Sequence, residues 1–580
     1  MTAVSVSANG FSSAAVSSGR IELVNVRQRS LLQAKLRVLW VMALFVVIAL
    51  IALLRIGILG LFQNAPDARN MADALLPARG EIVDRNGVPL ARAFPAYSLW
   101  FNPKALGDGP ALVKTPREVA AALVRIFPDE DFGRLVARLS AGKPGYLRRR
   151  ILPEDANKIH LLGEPALEFP RENERYYPQG SMAAHILGFV AADGHGRIGM
   201  EQVYDQRLND PAQRGKPAVL SIDTRVQGAL EDELSKGMSE TLAKGAAGIV
   251  LDVDTGEILA LASLPSFNPN LIDQTGAANI FNRVTNQVYE LGSTFKPLTI
   301  AAAIDAGTVT DLARRYQSDR PLAIGGFQIH DSHSFGGSLN VPEALIHSSN
   351  IVTAQVADEL GGPRLNATMR ALGFAERPFI ELPAKGFPLW PRGEWARITT
   401  MTVSYGHGIA VTPLHLASAY AAMVNGGIWR PATLEKVEAG RVPEGRRVFK
   451  ASTSARMRQL LRMIVDLGTG RKANAVGYRV GGKTGSAEKP GVGGYRKSSL
   501  VATFAAAFPM DRPRYVIIAM LDEPQGTAAT LGQRTAAYNV APIVGRVVPR
   551  IGPLLGIMPD DTRDVDISDL APLVGNGDGE

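Results

Sequence analysis

The stretch YELGSTFKPLTIAAA, residues 289–303, decides the fold class because it joins a Ser-x-x-Lys pair to the start of an apolar helix. Ser293 follows Gly292, and Pro297 with the apolar residues after it predicts a helix that begins here. Residues three apart share a helix face, so Lys296 is expected within reach of the Ser293 hydroxyl. The start of a helix also favours negative charge on an attacking oxygen. The stretch therefore predicts a nucleophilic serine with a lysine beside it.

The same four-residue pattern occurs at two other places, Ser140 with Lys143 and Ser486 with Lys489, so the pattern alone says little. Ser140 lies beside a glycine and a proline with no predicted helix after it. The helix that follows Ser293 therefore favours this serine as the nucleophile.

Two further short motifs supply candidate partners for the serine. Lys483-Thr484-Gly485 is the only Lys-Thr-Gly in the chain, and the glycines around it permit close approach by an extended peptide. Ser348-Ser349-Asn350 ends a helix predicted from residue 341. Lys483 is the candidate cation that lowers the pKa of the lysine beside the nucleophile, so that the neutral amine can act as a base. A solvated lysine in a Gly-rich loop is the alternative interpretation.

Composition bounds the class of protein. At 580 residues the chain is too long for one ordinary core and predicts two or three folded units. Charged residues make up 20% and hydrophobic residues 46%, which is typical of a globular protein. The net charge of +8 comes from scattered basic residues without a nucleic-acid-binding motif, which disfavours nucleic acid as a partner. The absence of cysteine excludes a thiol nucleophile, disulfides, a zinc ribbon and lipid attachment through cysteine.

Residues 38–62 form an apolar run of 25 residues with one charge, Arg55. About 20 apolar residues span a bilayer. No good Ala-x-Ala cleavage site follows, so we expect a retained transmembrane helix over 38–62 rather than a cleaved signal peptide. Basic residues before the run predict a cytoplasmic tail over 1–37 and place the rest of the chain outside the membrane. These residues are Arg20, Arg27, Arg29, Lys35 and Arg37.

The sequence after residue 62 falls into three segments that differ in their pattern of apolar and polar residues. Residues 63–220 contain a tight turn at Asn86-Gly87 and helical patterns over 118–127 and 131–140, and are expected to form a spacer or docking module. Residues 221–556 open and close on predicted β-hairpins, at 249–262 and 500–521, with helices predicted between them at 297–306, 341–348, 414–424 and 452–466. This order predicts an α+β domain in which helices cover an antiparallel sheet. Residues 557–580 are rich in acids and are expected to be a disordered tail.

The order of the three motifs is that of the penicillin-binding proteins and serine β-lactamases. The chain resembles the class B penicillin-binding proteins over roughly residues 35–550. Other segments that carry the resemblance are RG at 79–80, DRNG at 84–87, GME at 199–201, SID at 221–223, YELGS at 289–293 and YGHG at 405–408. The resemblance implies a membrane-anchored pedestal over 63–220 followed by a transpeptidase domain over 221–556.

The resemblance also implies a D,D-transpeptidase, an enzyme that uses neither cofactor nor metal. Ser293 would attack the carbonyl between the two terminal D-alanines of a stem peptide and form an acyl-enzyme. Lys296 would be the base, and Ser348 would relay the proton to the leaving amine. Asn350 would bond the substrate amide and Lys296.

The substrate carboxylate would be held by the Lys-Thr-Gly strand. Lys483 would bind the carboxylate, Thr484 and Ser486 would add hydroxyl contacts, and Gly485 lies between them. The backbone N–H groups of Ser293 and Ser486 would form the oxyanion hole. Many members of the family have Thr where this chain has Ser486, and the hydroxyl is kept.

The resemblance favours the septal, FtsI type, with stem peptides as substrate and β-lactams as inhibitors. Its implied partners are a SEDS glycosyltransferase of the FtsW type and other division proteins of the bacterial inner membrane, with the catalytic domain periplasmic. The elongation-specific class B enzyme is the main alternative, and a scaffold or β-lactam receptor without turnover is another. A β-lactamase is disfavoured by the anchored spacer, and a class A enzyme by the lack of a glycosyltransferase segment. His330 and His333 suggest a metal site, but a solvated loop is favoured over it.

Overall fold

The computed structural model describes residues 38–55, 79–107, 109–191, 193–491 and 494–575. The chain divides into two compact units, Met1–Leu76 and Pro77–Glu580. In the first unit, helix α1 (Val38–Arg55) has a mean hydropathy of 2.8 and is long and apolar enough to cross a membrane. The predicted helix extended to residue 62, and both its last seven residues and the tail predicted over 1–37 lie outside the described residues.

The second unit begins with a sheet built around one long strand, β2. Strands β1, β3, β4 and β5 all pair antiparallel with β2, and β6 pairs in parallel with β1. The turn predicted at Asn86-Gly87 joins β1 to β2, and Gly87 has the positive φ of 85° that this turn requires. The strands of this sheet are β1 (Ile82–Val83), β2 (Pro89–Phe101), β3 (Gly145–Ile151), β4 (Leu167–Glu168), β5 (Arg171–Tyr176) and β6 (Ala218–Val219).

Short helices cover this sheet and include the two that the sequence predicts. Helix α2 begins at Pro116, where Thr115 and Glu118 cap each other's backbone N–H groups. The helices are α2 (Pro116–Ile126), α3 (Phe132–Ser140), α4 (Pro153–His160), α5 (Ala184–Leu187), α6 (Gly199–Val203) and α7 (Asp205–Asn209).

A five-stranded antiparallel sheet organises the rest of the unit, in the order β15-β16-β17-β7-β8. Both predicted hairpins are present and are longer than predicted. The long strands are β7 (Gly245–Asp252), β8 (Ile258–Leu264), β15 (Gly481–Gly491), β16 (Gly494–Phe508) and β17 (Tyr515–Asp522). Short strands are β9 (Tyr316–Gln317), β10 (Leu322–Ile324), β11 (Phe327–Ile329), β12 (Ser338–Leu339), β13 (Ile428–Trp429) and β14 (Arg446–Arg447).

Helices cover both faces of this sheet, which confirms the predicted α+β class. The helices of this part of the chain are α8 (Thr224–Glu240), α9 (Ala277–Ile280), α10 (Lys296–Asp305), α11 (Val341–His347), α12 (Asn350–Leu360), α13 (Gly362–Ala371), α14 (Arg397–Ser404), α15 (Pro413–Val424), α16 (Ala451–Leu467), α17 (Ala536–Asn539) and α18 (Ala541–Ile551). The paired residues Ile249 and Ile518 face a core shared with α10 and α15, whereas the next pair, Val250 and Ile517, faces α8 and α18. Because side chains alternate along a strand, the sheet is buried on both faces.

The predicted domain boundary at residue 220 is not a break in packing, since Pro77–Glu580 forms one compact unit. The Thr224 hydroxyl donates to Asp84 Oδ2 at 2.9 Å, and the Ser221 hydroxyl donates to the Ile258 carbonyl at 2.7 Å. The change in sequence pattern near residue 220 marks a change of secondary structure. Hydrogen bonds still join the segments on its two sides.

The acidic segment predicted to be disordered from residue 557 is instead folded as far as residue 575. Leu570 is 2% exposed and packs in the main core, with Val565 and Ile567 partly buried against it. Acids of the segment pair with arginines of α16. The prediction of disorder was wrong for two reasons. It rested on the many acidic residues and gave no weight to the few apolar residues between them, and the helix that pairs with the acids, α16, is distant in sequence.

A buried ion-pair network holds the pedestal together around Glu201, which is fully buried. Arg79 Nε and Arg175 Nε donate to its two carboxylate oxygens at 2.8 and 2.6 Å, and Arg79 also reaches Asp205 at 2.7 Å. Glu201 thus pairs with both buried guanidinium groups, and Asp205 is a second carboxylate for Arg79 alone.

We predict that Glu201→Gln destabilises the chain, because it leaves two buried cations with only one charged partner between them. The expected cost is about 3 kcal/mol. Thermal unfolding of the detergent-solubilised chain measures it, with Asp155→Asn as the control, since its partner Lys158 is 59% exposed. The control is expected to cost at most about 0.5 kcal/mol. Equal unfolding midpoints for the two variants would contradict this account.

Candidate active site

Ser293 lies in a 3-10 turn, Gly292–Phe295, that leads directly into α10. A hydrogen bond from a neighbouring helix supports this turn. The Tyr420 hydroxyl donates to the Thr294 carbonyl at 2.8 Å. Gly406 packs so closely that a Cβ at this position would lie 2.2 Å from the Gly292 carbonyl oxygen. Ser293 itself stays partly exposed while its neighbours are buried. The turn therefore presents one hydroxyl on a rigid support.

Two buried lysines meet at the Ser348 hydroxyl. Lys296 Nζ donates to Ser348 Oγ at 3.1 Å and also bonds the Ser348 carbonyl. Lys483 Nζ donates to the same Oγ at 2.9 Å and to the Thr484 carbonyl at 3.2 Å. Both lysine side chains are fully buried. The structure thus brings together the lysines of two motifs and the first serine of the third.

Burial shifts the pKa of both amines downward. Burial lowers the pKa of Lys296 well below its ordinary value, and the charge of Lys483 lowers it further, whereas Asp331 opposes the shift. Burial lowers the pKa of Lys483 to about 7. Since the two amines share one hydroxyl, they titrate as a pair, and the burial of both favours states in which the pair carries less than its full charge. A neutral lysine amine is the species that can accept a proton.

Strand β15 brings the Lys-Thr-Gly motif to the nucleophile turn from the edge of the sheet. A Cβ at Gly485 would lie 2.4 Å from the Leu291 carbonyl oxygen, so only glycine permits this approach. The Ser486 hydroxyl accepts a bond from the Ala536 N–H at 3.0 Å, and the Thr484 and Thr469 hydroxyls are 2.9 Å apart. An edge strand offers backbone groups to an extended peptide.

The other Ser-x-x-Lys pairs do not form such a site. Ser140 is exposed at the end of α3. Lys489 is paired with Asp522 at 2.6 Å and with Glu523 at 3.0 Å, so its charge is already neutralised.

Sequence reasoning missed Asp331, which organises the Ser-x-Asn turn. Its carboxylate accepts bonds from the Ser349 hydroxyl at 2.6 Å and from the backbone N–H groups of Asn350 and Ile351. The Asn350 side-chain amide donates to the His330 carbonyl at 2.8 Å, whereas the resemblance implied a bond to Lys296. A single aspartate in a polar loop gives no sequence signal for this contact, which spans two segments.

A second unpredicted cluster surrounds Glu290, three residues before the nucleophile. Glu290 Oε1 accepts bonds from the Tyr495 hydroxyl at 3.0 Å and the Gly408 N–H at 3.1 Å, and His407 Nδ1 lies 3.5 Å from Oε2. Burial raises the pKa of Glu290 and lowers that of His407. Through these contacts, Glu290 connects the nucleophile turn to the Gly406–Gly408 turn and to β16.

Family models match most of the second unit. Residues 246–544 match the penicillin-binding protein transpeptidase domain, and residues 74–241 match the penicillin-binding protein dimerisation domain.

Individual proteins match over similar lengths. The chain is 40% identical to the probable peptidoglycan D,D-transpeptidase FtsI of Caulobacter vibrioides, over 86% of this chain and 85% of that protein. It is 30% identical to the peptidoglycan D,D-transpeptidase FtsI of Escherichia coli K12, over 87% and 88%. The fold is similar to that of penicillin-binding protein 3 of Mycobacterium tuberculosis complexed with ampicillin, with a TM-score of 0.66, 24% identity, and coverage of 84% of this chain and 98% of that one. The chain belongs to the class B penicillin-binding protein family.

Proposed function

We propose that this chain is a serine D,D-transpeptidase that cross-links peptidoglycan stem peptides through an acyl-enzyme at Ser293. The observation that carries the proposal is the meeting of Lys296 and Lys483 at the Ser348 hydroxyl, with the partly exposed Ser293 three residues before Lys296 in the same turn. A nucleophile, a neutral amine and a relay hydroxyl are the groups that acyl transfer requires. The FtsI relatives are named as enzymes of this type.

In the first half-reaction, the Ser293 oxygen attacks the carbonyl between two terminal D-alanines while its proton passes to the neutral Lys296 amine. The tetrahedral oxyanion is bound by the backbone N–H groups of Ser293 and Ser486. The proton then passes through Ser348 to the departing D-alanine nitrogen as the C–N bond breaks. The acceptor amine of a second stem peptide reverses these steps, forms the cross-link and frees the serine.

The remaining site residues bind substrate in this proposal. Lys483 in its charged form holds the terminal carboxylate, with the Thr484 and Ser486 hydroxyls beside it. Gly485 permits the substrate backbone to lie along β15. Asn350 bonds the substrate amide after its side chain leaves the His330 carbonyl.

We assign the activity to the septal wall during cell division, because relatives that match over 85% and 88% of their lengths are named FtsI. The elongation-specific class B enzyme is the second candidate. Chain elongation of the glycan would come from a SEDS glycosyltransferase of the FtsW type, acting with other division proteins in the same membrane. We place α1 in the bacterial inner membrane with the N-terminus in the cytoplasm and the second unit in the periplasm, on the basis of the basic residues that precede α1.

We predict that benzylpenicillin adds one covalent drug molecule to the full-length chain and that Ser293→Ala abolishes the addition. Intact-mass analysis of the detergent-solubilised chain is the measurement. Ser140→Ala and Ser486→Ala are the matched controls, because both remove a serine hydroxyl from another Ser-x-x-Lys pair, and both are expected to form the adduct. An adduct that persists in Ser293→Ala would refute the assignment of the nucleophile.

We predict that Lys483→Met stabilises the fold near neutral pH at the expense of acylation. The pKa of Lys483 is about 7 in the folded chain and about 10.4 in an unfolded one. Between these values the unfolded chain binds a proton that the folded chain does not, so stability falls as pH drops through this window. Lys483→Met removes the penalty and should gain about 1–3 kcal/mol at pH 7.5, with no gain at pH 10.5.

Thermal unfolding at the two pH values measures this gain. Lys472→Met is the control, since Lys472 lies on the surface over the Tyr538 ring. A gain for Lys483→Met that is the same at both pH values would show that the buried charge is not its cause.

A further inference from the structure

The C-terminal strap, residues 560–574, contacts the segment that leads into β15. The Asp560 N–H donates to the Gly477 carbonyl at 2.9 Å, and Arg479 donates to the Asp560 carbonyl at 2.8 Å. Arg479 is itself 3% exposed and also bonds Asp511 at 2.7 Å. The strap thus begins at the entry to the Lys-Thr-Gly strand.

A buried arginine extends this contact to the residue that precedes the motif strand. Arg462 of α16 is 8% exposed and donates to the Asp564 carboxylate at 2.8 and 3.0 Å. Arg462 Nη1 donates at 3.2 Å to the carbonyl of Val480, the residue directly before β15. Asp564 is the carboxylate that pairs with this buried charge, so its loss would free the arginine to turn toward solvent.

The far end of the strap holds the helix that carries Ser348. Asn340 caps α11 through Oδ1, which accepts the Glu343 N–H at 2.9 Å, and its Nδ2 donates to the Leu573 carbonyl of the strap at 2.6 Å. Helix α11 ends at His347, and Ser348 directly after it has a φ of 64°, in the left-handed region. One short helix therefore connects the strap to the hydroxyl that both lysines bind.

We propose that the C-terminal strap is a positioning element of the active site, which sets the placement of Ser348 through Asn340 and of Lys483 through Asp564 and Arg462. The proposal rests on the proposed function. Ser348 Oγ lies 3.1 Å from one lysine nitrogen and 2.9 Å from the other, so a small displacement of either support breaks a contact in the proton path.

The test uses three substitutions in the full-length chain. Asn340→Ser keeps an oxygen to cap α11 but removes the bond to Leu573. Asp564→Asn removes the charge that pairs with Arg462. Asp561→Asn is the matched control, because it makes the same charge change in the strap at an exposed side chain that forms no hydrogen bond or ion pair with the described residues.

Stopped-flow acylation by a chromogenic β-lactam gives the rate constant per acylated chain, and intact mass gives the fraction of chains that react. We expect full stoichiometry in all variants, with the rate constant lowered about tenfold in Asn340→Ser and Asp564→Asn and within about twofold of wild type in Asp561→Asn. Asp564→Glu keeps the carboxylate and is expected to recover most of the rate.

A purely structural role gives a different result. If Asn340→Ser and Asp564→Asn react in lower stoichiometry, or unfold at lower temperature, with an unchanged rate constant per acylated chain, the strap is only a stabilising segment and the proposal is overturned. If the wild-type chain forms no adduct at all, the proposed function fails and this inference fails with it. The two failures are therefore distinguishable.

Discussion

The structure depends on the burial of two lysine amines against one serine hydroxyl. Lys296 and Lys483 come from segments 187 positions apart in the sequence, yet both reach Ser348 Oγ. Burial of two amines is unfavourable when both are charged, because each loses hydration and each repels the other. The fold therefore stabilises a state in which the pair carries less than its full charge. That state supplies a base at neutral pH, at a cost in stability that the large buried sheet offsets.

Three segments must be held rigidly for this arrangement to persist. The nucleophile turn is fixed by close backbone contacts at Gly406 and Gly485, where any larger residue would collide with a carbonyl oxygen. The Ser-x-Asn turn is fixed by Asp331, which satisfies the backbone donors at the start of α12. The Lys-Thr-Gly strand is fixed by the sheet on one side and by Arg462 at its start. The contacts at Gly406 and Gly485 join parts of the chain that are far apart in sequence, so the nucleophile turn takes this form only when the whole domain has folded.

Local patterns were sufficient to predict the elements that carry the motifs. The helix after Ser293 was predicted from Pro297 and the apolar run, and the two hairpins from short apolar runs on either side of turn residues. The order of the three motifs then pointed to the family. Contacts between distant segments were not predictable, since neither Asp331 nor the Glu290 cluster has a periodic or spacing signal. The C-terminal segment shows the same limit, because its acids pair with arginines of α16, and no pattern within the segment indicates these partners.

The pH dependence of acylation tests most directly whether burial lowers the pKa values of the two lysines, so that the pair carries less than its full charge at neutral pH. The measurement is the second-order rate constant for acylation of the wild-type chain by benzylpenicillin between pH 5 and pH 10. The account predicts a bell-shaped profile for the coupled pair, in which the acid limb reports loss of the neutral amine and the alkaline limb, with a midpoint near the pKa of about 7 for Lys483, reports loss of the cation that binds the carboxylate. A rate constant that rises steadily to pH 10, as for lysines with ordinary pKa values, would contradict it.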